Sequence, residues 1–248
     1  MTYCVGLLVR DGLVMMADTR TNAGVDNVST YRKLRVFGND GERLIVIASA
    51  GSLSTTQAAM QALADGVPSP DDPEQLDTLN NVPSIYHAAR AAGRANRAAR
   101  DQFESLQQGD INFSSTLLVG GSVGGEKTRL FLVYSAGNFI ECAPETPYLQ
   151  IGEHKYGKPI LDRAMRFETG IDEAMKIGLI SFSSTMRSNL AVGLPIDVMV
   201  ARSGQSTADL VHRIGEEDPY FHDLSEQWST ALRHAQAEIP VPPYLTPA

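Results

Sequence analysis

Between residues 3 and 48 the apolar residues fall into four short runs, and the first helical period starts only after them. This order constrains the fold more than any other feature of the chain. The runs cover residues 3–9, 13–17, 34–37 and 44–48. Asp11-Gly12 separates the first two, and Gly38-Asn39-Asp40-Gly41 the last two. Both separators are turn chemistry, so two successive β-hairpins are expected. Ser54-Thr55-Thr56 then offers a cap for a helix running to Asp65. Residues 68–83, rich in proline and acids, read as a surface loop. Ile85, Ala88, Ala89, Ala92, Asn96, Ala99, Phe103 and Leu106 recur at helical spacing and predict a long helix with an alanine-rich face.

Strand patterns return at 112–120, 128–134 and 139–141. Helices are expected at 158–167 and 171–187, strands at 195–202 and 208–214, and a last helical stretch at 224–237. Ile239-Pro240-Val241-Pro242-Pro243 cannot be regular helix. Strands, helices, strands, helices, strands is not the alternation of a doubly wound parallel sheet. It suits an α+β protein with two antiparallel sheets and helices outside, a four-layer αββα sandwich. No internal repeat is present. The expected division is a main domain over 2–214 and a C-terminal extension over 215–248 that serves subunit contacts.

Composition excludes several classes. Apolar residues make up 43% and charged residues 20%, so the chain is not globally disordered. No apolar run approaches the ~18 residues of a membrane span. The net charge of -8 disfavours a nucleic-acid or anionic-membrane surface. Two cysteines, Cys4 and Cys142, do not make a disulfide framework, and the N-terminus lacks the layout of a signal peptide. A cytoplasmic protein is expected. The five histidines show no metal-ligand spacing, and residues 120–125 lack a following Lys-Ser, so they read as a hairpin turn. No metal and no cofactor are implied. Arg90, Arg94, Arg97 and Arg100 share a helix face that reads as solvated or as a subunit contact.

The candidate chemistry begins at Met1-Thr2. Removal of Met1 would leave Thr2 with an α-amine beside its own hydroxyl. A hydroxyl needs a base within reach, and an α-amine titrates at roughly 7.7–8.0. An N-terminal threonine is a known variant of nucleophile-plus-base catalysis. After one hairpin comes Ala17-Asp18-Thr19-Arg20, then Tyr31-Arg32-Lys33-Leu34, and Ala50-Gly51-Ser52 precedes a helix. Thr2, an acid, a lysine and a glycine at these offsets resemble the proteasome-type β subunits among the N-terminal nucleophile hydrolases. Thr2-Tyr3-Cys4-Val5-Gly6, residues 21–26, Thr30-Tyr31-Arg32-Lys33, residues 152–160 and Ser188-Asn189-Leu190 resemble more closely the bacterial Anbu family, the ancestral β subunits.

The resemblance implies an acyl-enzyme peptidase. Thr2 would be the nucleophile, Lys33 would lower the pKa of its hydroxyl, and Asp18 would hold Lys33. The Gly51 N–H would stabilise the oxyanion. Ser49, Arg20 and Asn22 would border bound substrate. The sequence departs from the proteasome pattern in two places. Gly152 is followed by Glu153 rather than serine, and Ser188 stands where an aspartate is usual and would take over its catalytic place, with Asn189 beside it in support and Ala191 in place of a second hydroxyl. Glu153 reads either as an acid near the amine or as an ion-pair partner at a helix start. The family also implies a homo-oligomer, a ring or an open helical stack, acting on a peptide or protein substrate. An external ATPase or adaptor is not identified. Two rivals stand beside this reading: an amidase or transpeptidase acting through Thr2 on a small or isopeptide substrate, and a non-catalytic assembly protein.

Overall fold

The computed structural model describes residues 2–22, 28–72, 74–105 and 111–245. The first strands are β1 (Tyr3–Val9), β2 (Gly12–Asp18), β3 (Arg20–Asn22), β4 (Val28–Thr30), β5 (Leu34–Gly38) and β6 (Arg43–Gly51). Helix α1 (Leu53–Asp65), short strands β7 (Val67–Pro68) and β8 (Leu76–Asp77), and helix α2 (Ile85–Glu104) follow. Then come β9 (Ser115–Val123), β10 (Arg129–Val133), β11 (Phe139–Glu141) and β12 (Tyr148–Gly152). The chain continues through α3 (Lys158–Ala164), α4 (Ile171–Ser188), β13 (Ile196–Arg202), β14 (Leu210–Ile214) and α5 (Pro219–Glu238).

Two antiparallel five-stranded sheets form, in the orders β12-β1-β2-β13-β14 and β11-β10-β9-β6-β5. Successive side chains of a strand point to opposite faces. In β1, Tyr3, Val5, Leu7 and Val9 pack outward with Leu161, Ala174, Ile177 and Phe182 of α3 and α4. Cys4 and Leu8 turn inward and meet Leu44, Val46, Ala48 and Leu118 between the sheets. Ile45, Ile47, Leu117 and Val119 form the outer face of the second sheet and pack against α1 and α2. Each large side chain buried in this way contributes roughly 1.5–3 kcal/mol. With both faces covered, β1 reads YCVGLLV without polar alternation. The α+β four-layer sandwich expected from the element order is the fold.

Local differences have local causes. The α1 cap is Ser52, whose hydroxyl accepts the Thr55 amide, so the helix starts before the Ser54-Thr55-Thr56 cluster. Residues 120–123 continue β9, and the hairpin bend falls on Gly124 and Gly125, both at positive φ. The proline-rich loop carries the β7–β8 pair and buries Leu79 and Val82 against α2. Arg90 pairs with Asp71 and Arg94 with Asp77 of this loop, and Arg100 pairs with Asp101 and Glu104 and donates to the Ser135 carbonyl, which commits three of the four arginines to contacts within the chain. The expected end of α2 at Leu106 lies outside the described residues. Beyond β14, Phe221 and Leu224 of α5 join the core beside α4, so the segment expected to serve subunit contacts is partly packed on its own chain. The remaining tail leaves Tyr220, Leu232, Ile239, Val241 and Tyr244 exposed. Among the described residues no helix is long and apolar enough to cross a membrane.

Candidate active site

Antiparallel pairing brings distant parts of the chain to one end of the sandwich. Thr2 precedes β1 and Asp18 ends β2, its partner strand, where Cys4 faces Ala17. Lys33 precedes β5, while Ser49 and Gly51 lie at the end of β6, where Leu34 faces Ala48. These ends meet around a cleft of about 290 Å³ lined by Thr2, Thr21, Lys33, Ser49, Gly51 and Gly152, with Leu53 and Thr56 from α1.

Behind Thr2 lies a buried ion pair. Lys33 Nζ donates to Asp18 Oδ1 at 2.8 Å and to the Arg20 carbonyl at 2.5 Å. The side chains of Lys33 and Asp18 are 6% and 0% exposed, so both charges are out of water and depend on each other. Asp18 Oδ1 also accepts the Tyr3 amide at 3.0 Å, which ties the pair to the residue after Thr2. Burial pushes the Asp18 carboxyl above the usual aspartate range, and the Lys33 ammonium opposes that shift.

The other flank is backbone. The Thr2 carbonyl accepts the Glu153 amide at 2.6 Å. Gly152 sits at φ 82°, and a Cβ there would fall 2.0 Å from the Thr2 carbonyl oxygen, so only glycine lets β12 approach so closely. Gly51 is at φ 105°, and a Cβ there would lie 2.4 Å from the Ser114 carbonyl oxygen. A turn of this shape lifts the backbone out of β6 into the α1 N-terminus, at the edge of the cleft.

The structure thus brings together Thr2, Asp18, Lys33, Ser49 and Gly51. Arg20 is directed elsewhere: its guanidinium donates to the Leu190 carbonyl at 2.8 Å and lies against Gly193. The side chain of Asn22, and residues 23–26 of the resemblance, lie outside the described residues. Ser188 is the last residue of α4, is exposed, and is not among the residues lining the cleft. Its neighbour Asn189 turns inward as the helix ends and donates to Glu153 Oε2 at 3.0 Å. Glu153 is 6% exposed, and its Oε1 accepts the Lys155 amide. It precedes α3 rather than starting it, and no ion pair to it forms among the described residues. Glu153 therefore clamps the α4 C-terminus to the strand end beside Thr2. Sequence reasoning missed Thr21 and Thr56. Thr21 lines the cleft with a hydroxyl that has no hydrogen-bond partner among the described residues. Cys4 faces the inter-sheet core, where burial raises its thiol pKa well beyond the ordinary range. Cys142 is pushed up to about 12 by burial. Neither is a poised nucleophile.

The sandwich, with its cleft at the ends of β1, β2, β5 and β6, defines a proteasome-like fold of the N-terminal nucleophile hydrolase type. Comparison with known proteins places the chain within that class. No family model and no curated protein matches it, but solved structures do. An Anbu (Gly-1) mutant from Hyphomicrobium sp. strain MC1 is 44% identical with a TM-score of 0.88, covering 97% of this chain and 99% of that one. Anbu (ancestral beta-subunit) from Yersinia bercovieri is 43% identical with a TM-score of 0.88, covering 98% and 99%. The Anbu complex from Pseudomonas aeruginosa, solved as a helical assembly, is 39% identical with a TM-score of 0.89, covering 99% and 100%. The chain belongs to the Anbu family.

Proposed function

We propose that this chain is a threonine-type amide-bond hydrolase that works inside a self-assembled, proteasome-like oligomer. The observation that carries the reading is the buried Asp18–Lys33 pair, whose Lys33 lines the same cleft as Thr2. A lysine held charged in a buried position beside a hydroxyl favours the alkoxide and lowers the cost of attack. Once Met1 is removed, the Thr2 hydroxyl attacks the substrate carbonyl. Its proton passes through the neighbouring amine to the leaving amine. The Gly51 N–H donates to the oxyanion, and water then releases the acyl group from Thr2. Ser49 and Thr21 border bound substrate, and Glu153 and Asn189 hold the strand end that carries Thr2.

Assembly through the C-terminal extension is supported by its exposed Leu232, Ile239, Val241 and Tyr244, and by the helical assembly of the Pseudomonas relative. Two buried free cysteines fit a reducing, cytoplasmic setting. Glu153 favours a second reading, an amidase or transpeptidase acting on a small or isopeptide substrate, because a buried carboxylate occupies the flank of Thr2 where the proteasome pattern has serine. A panel of short peptides and small amides, each tested with the wild-type chain and with Thr2→Ala, separates the readings. Thr2-dependent hydrolysis of peptides supports the peptidase, and turnover confined to small amides supports the second reading. Equal behaviour of the two chains on every substrate removes both.

A further inference from the structure

A second concavity lies where the free edges of the two sheets meet. β5 ends one sheet and β14 ends the other, and a groove of about 600 Å³ runs between them. Its lining has a specific pattern. Residues 34, 35, 36 and 37 of β5 all contribute, as do residues 211, 212 and 213 of β14. A groove lying on a sheet face would touch every second residue of a strand. Consecutive residues mean that it faces the edges, where backbone amides and carbonyls have no neighbouring strand among the described residues.

The charge in the groove opposes that of the chain. Arg32, Arg35 and Arg213 line it against one carboxylate, Asp197. Asp197 is already committed: Arg213 holds it with two bonds of 2.6 and 2.9 Å, and Arg32 stands 3.7 Å away. Arg35 donates to the Tyr31 hydroxyl at 2.5 Å and pairs with no carboxylate among the described residues. Three guanidinium groups against one carboxylate leave two positive charges in excess, in a chain whose net charge is -8. Val211, 59% exposed, and the apolar Leu34 and Phe37 supply walls between these charges.

We propose that this groove docks an extended, acidic polypeptide segment. Its backbone adds to the open sheet edge, its carboxylates reach Arg32 and Arg35, and its alternate side chains rest on the apolar walls. The groove adjoins the catalytic cleft, because Tyr31 and Arg35 also border a narrow recess shared with Lys33, Ser49 and Thr56. A docked acidic segment is thereby held next to Thr2 without occupying it.

The test is fluorescence anisotropy of a short amidated peptide of alternating glutamate and valine, with its glutamine analogue as the neutral control. It is run on the full chain carrying Thr2→Ala, so that the peptide is not consumed. The glutamate peptide is expected to bind about tenfold more tightly than the glutamine peptide, the worth of roughly two partly exposed ion pairs. The preference weakens with added salt. It disappears in the Arg32→Gln/Arg35→Gln double variant, whose sedimentation matches that of the parent. Arg32→Gln alone changes an exposed side chain and lowers affinity about threefold, which covers the case in which the double variant does not fold. Equal affinity for the two peptides, or a preference that survives both arginine changes, overturns the proposal. So does a double variant whose assembly dissociates while the peptide binds only dissociated chains, because the groove is then an interface between copies.

Discussion

Removing the Lys33 ammonium is the most informative single perturbation. Lys33→Met keeps much of the stem and takes away the charge. Asp18, 0% exposed, then retains the Tyr3 amide but loses the cation 2.8 Å from its Oδ1. Breaking a buried pair by removing one partner costs about 3–5 kcal/mol, because the remaining charge is desolvated and uncompensated. The sign of the pH dependence follows. Burial already raises the folded-state pKa of Asp18, and loss of Lys33 raises it further. A folded-state pKa above the unfolded value of about 3.9 means that the native state binds the proton more tightly. The destabilisation in Lys33→Met is therefore full at neutral pH and shrinks as pH falls through the folded pKa towards 3.9. Urea unfolding at fixed protomer concentration, at neutral and acidic pH, measures this. The Asp18→Asn/Lys33→Met double variant, which leaves no buried charge, returns to within about 2 kcal/mol of the parent. A loss below about 1 kcal/mol for Lys33→Met at neutral pH, or a double variant as unstable as the sum of the singles, refutes the interdependence of the pair.

Other consequences are more local. Below the acid limb set by protonation of the Thr2 amine, a second fall in the Thr2-dependent rate is expected above the ordinary aspartate value of about 3.9, since a protonated Asp18 no longer fixes Lys33; a pH–rate profile carried well below the amine limb reads it. Gly152→Ala places a Cβ 2.0 Å from the Thr2 carbonyl oxygen, so it abolishes turnover and costs about 1–3 kcal/mol in thermal or urea unfolding, whereas Gly215→Ala, at an ordinary φ and with nothing within 4 Å, leaves turnover unchanged. Glu153→Ala strips Asn189 of its partner and lowers stability by about 1–3 kcal/mol by the same assays. Cys4 and Cys142, both buried, resist iodoacetamide in the native chain and react in urea; native-state labelling of Cys4 would contradict its place between the sheets.

The parts of the fold legible in the sequence are those whose burial leaves a periodic trace. β1, β2 and β6 are largely apolar runs bounded by turn residues, β5 is a shorter one interrupted by Arg35, and α2 carries its small residues at helical spacing. β12 left no such trace. It is a sheet edge with a half-buried pattern, and its existence depends on pairing with β1. The three-residue strands β3 and β4 likewise exist through each other. At the site, Asp18 and Lys33 become meaningful only beside Thr2, through resemblance, because an acid and a lysine in isolation describe any ion pair. Whether Ser188 or Asn189 faces inward depends on the residue at which α4 ends, and periodicity does not fix helix ends to one position. Thr21 and Thr56 reach the cleft by tertiary packing alone.

The hydrolase reading stands or falls with Thr2, and intact mass after incubation with a peptide epoxyketone tests it most directly. That probe closes a ring using a hydroxyl and an adjacent free amine, a pair that only a processed Thr2 provides. The expected result is a mass lacking Met1 and raised by one probe per chain, with no addition to Thr2→Ala. Chains that lack Met1, assemble normally and stay unlabelled by probes of varied side chain would contradict a working nucleophile at Thr2.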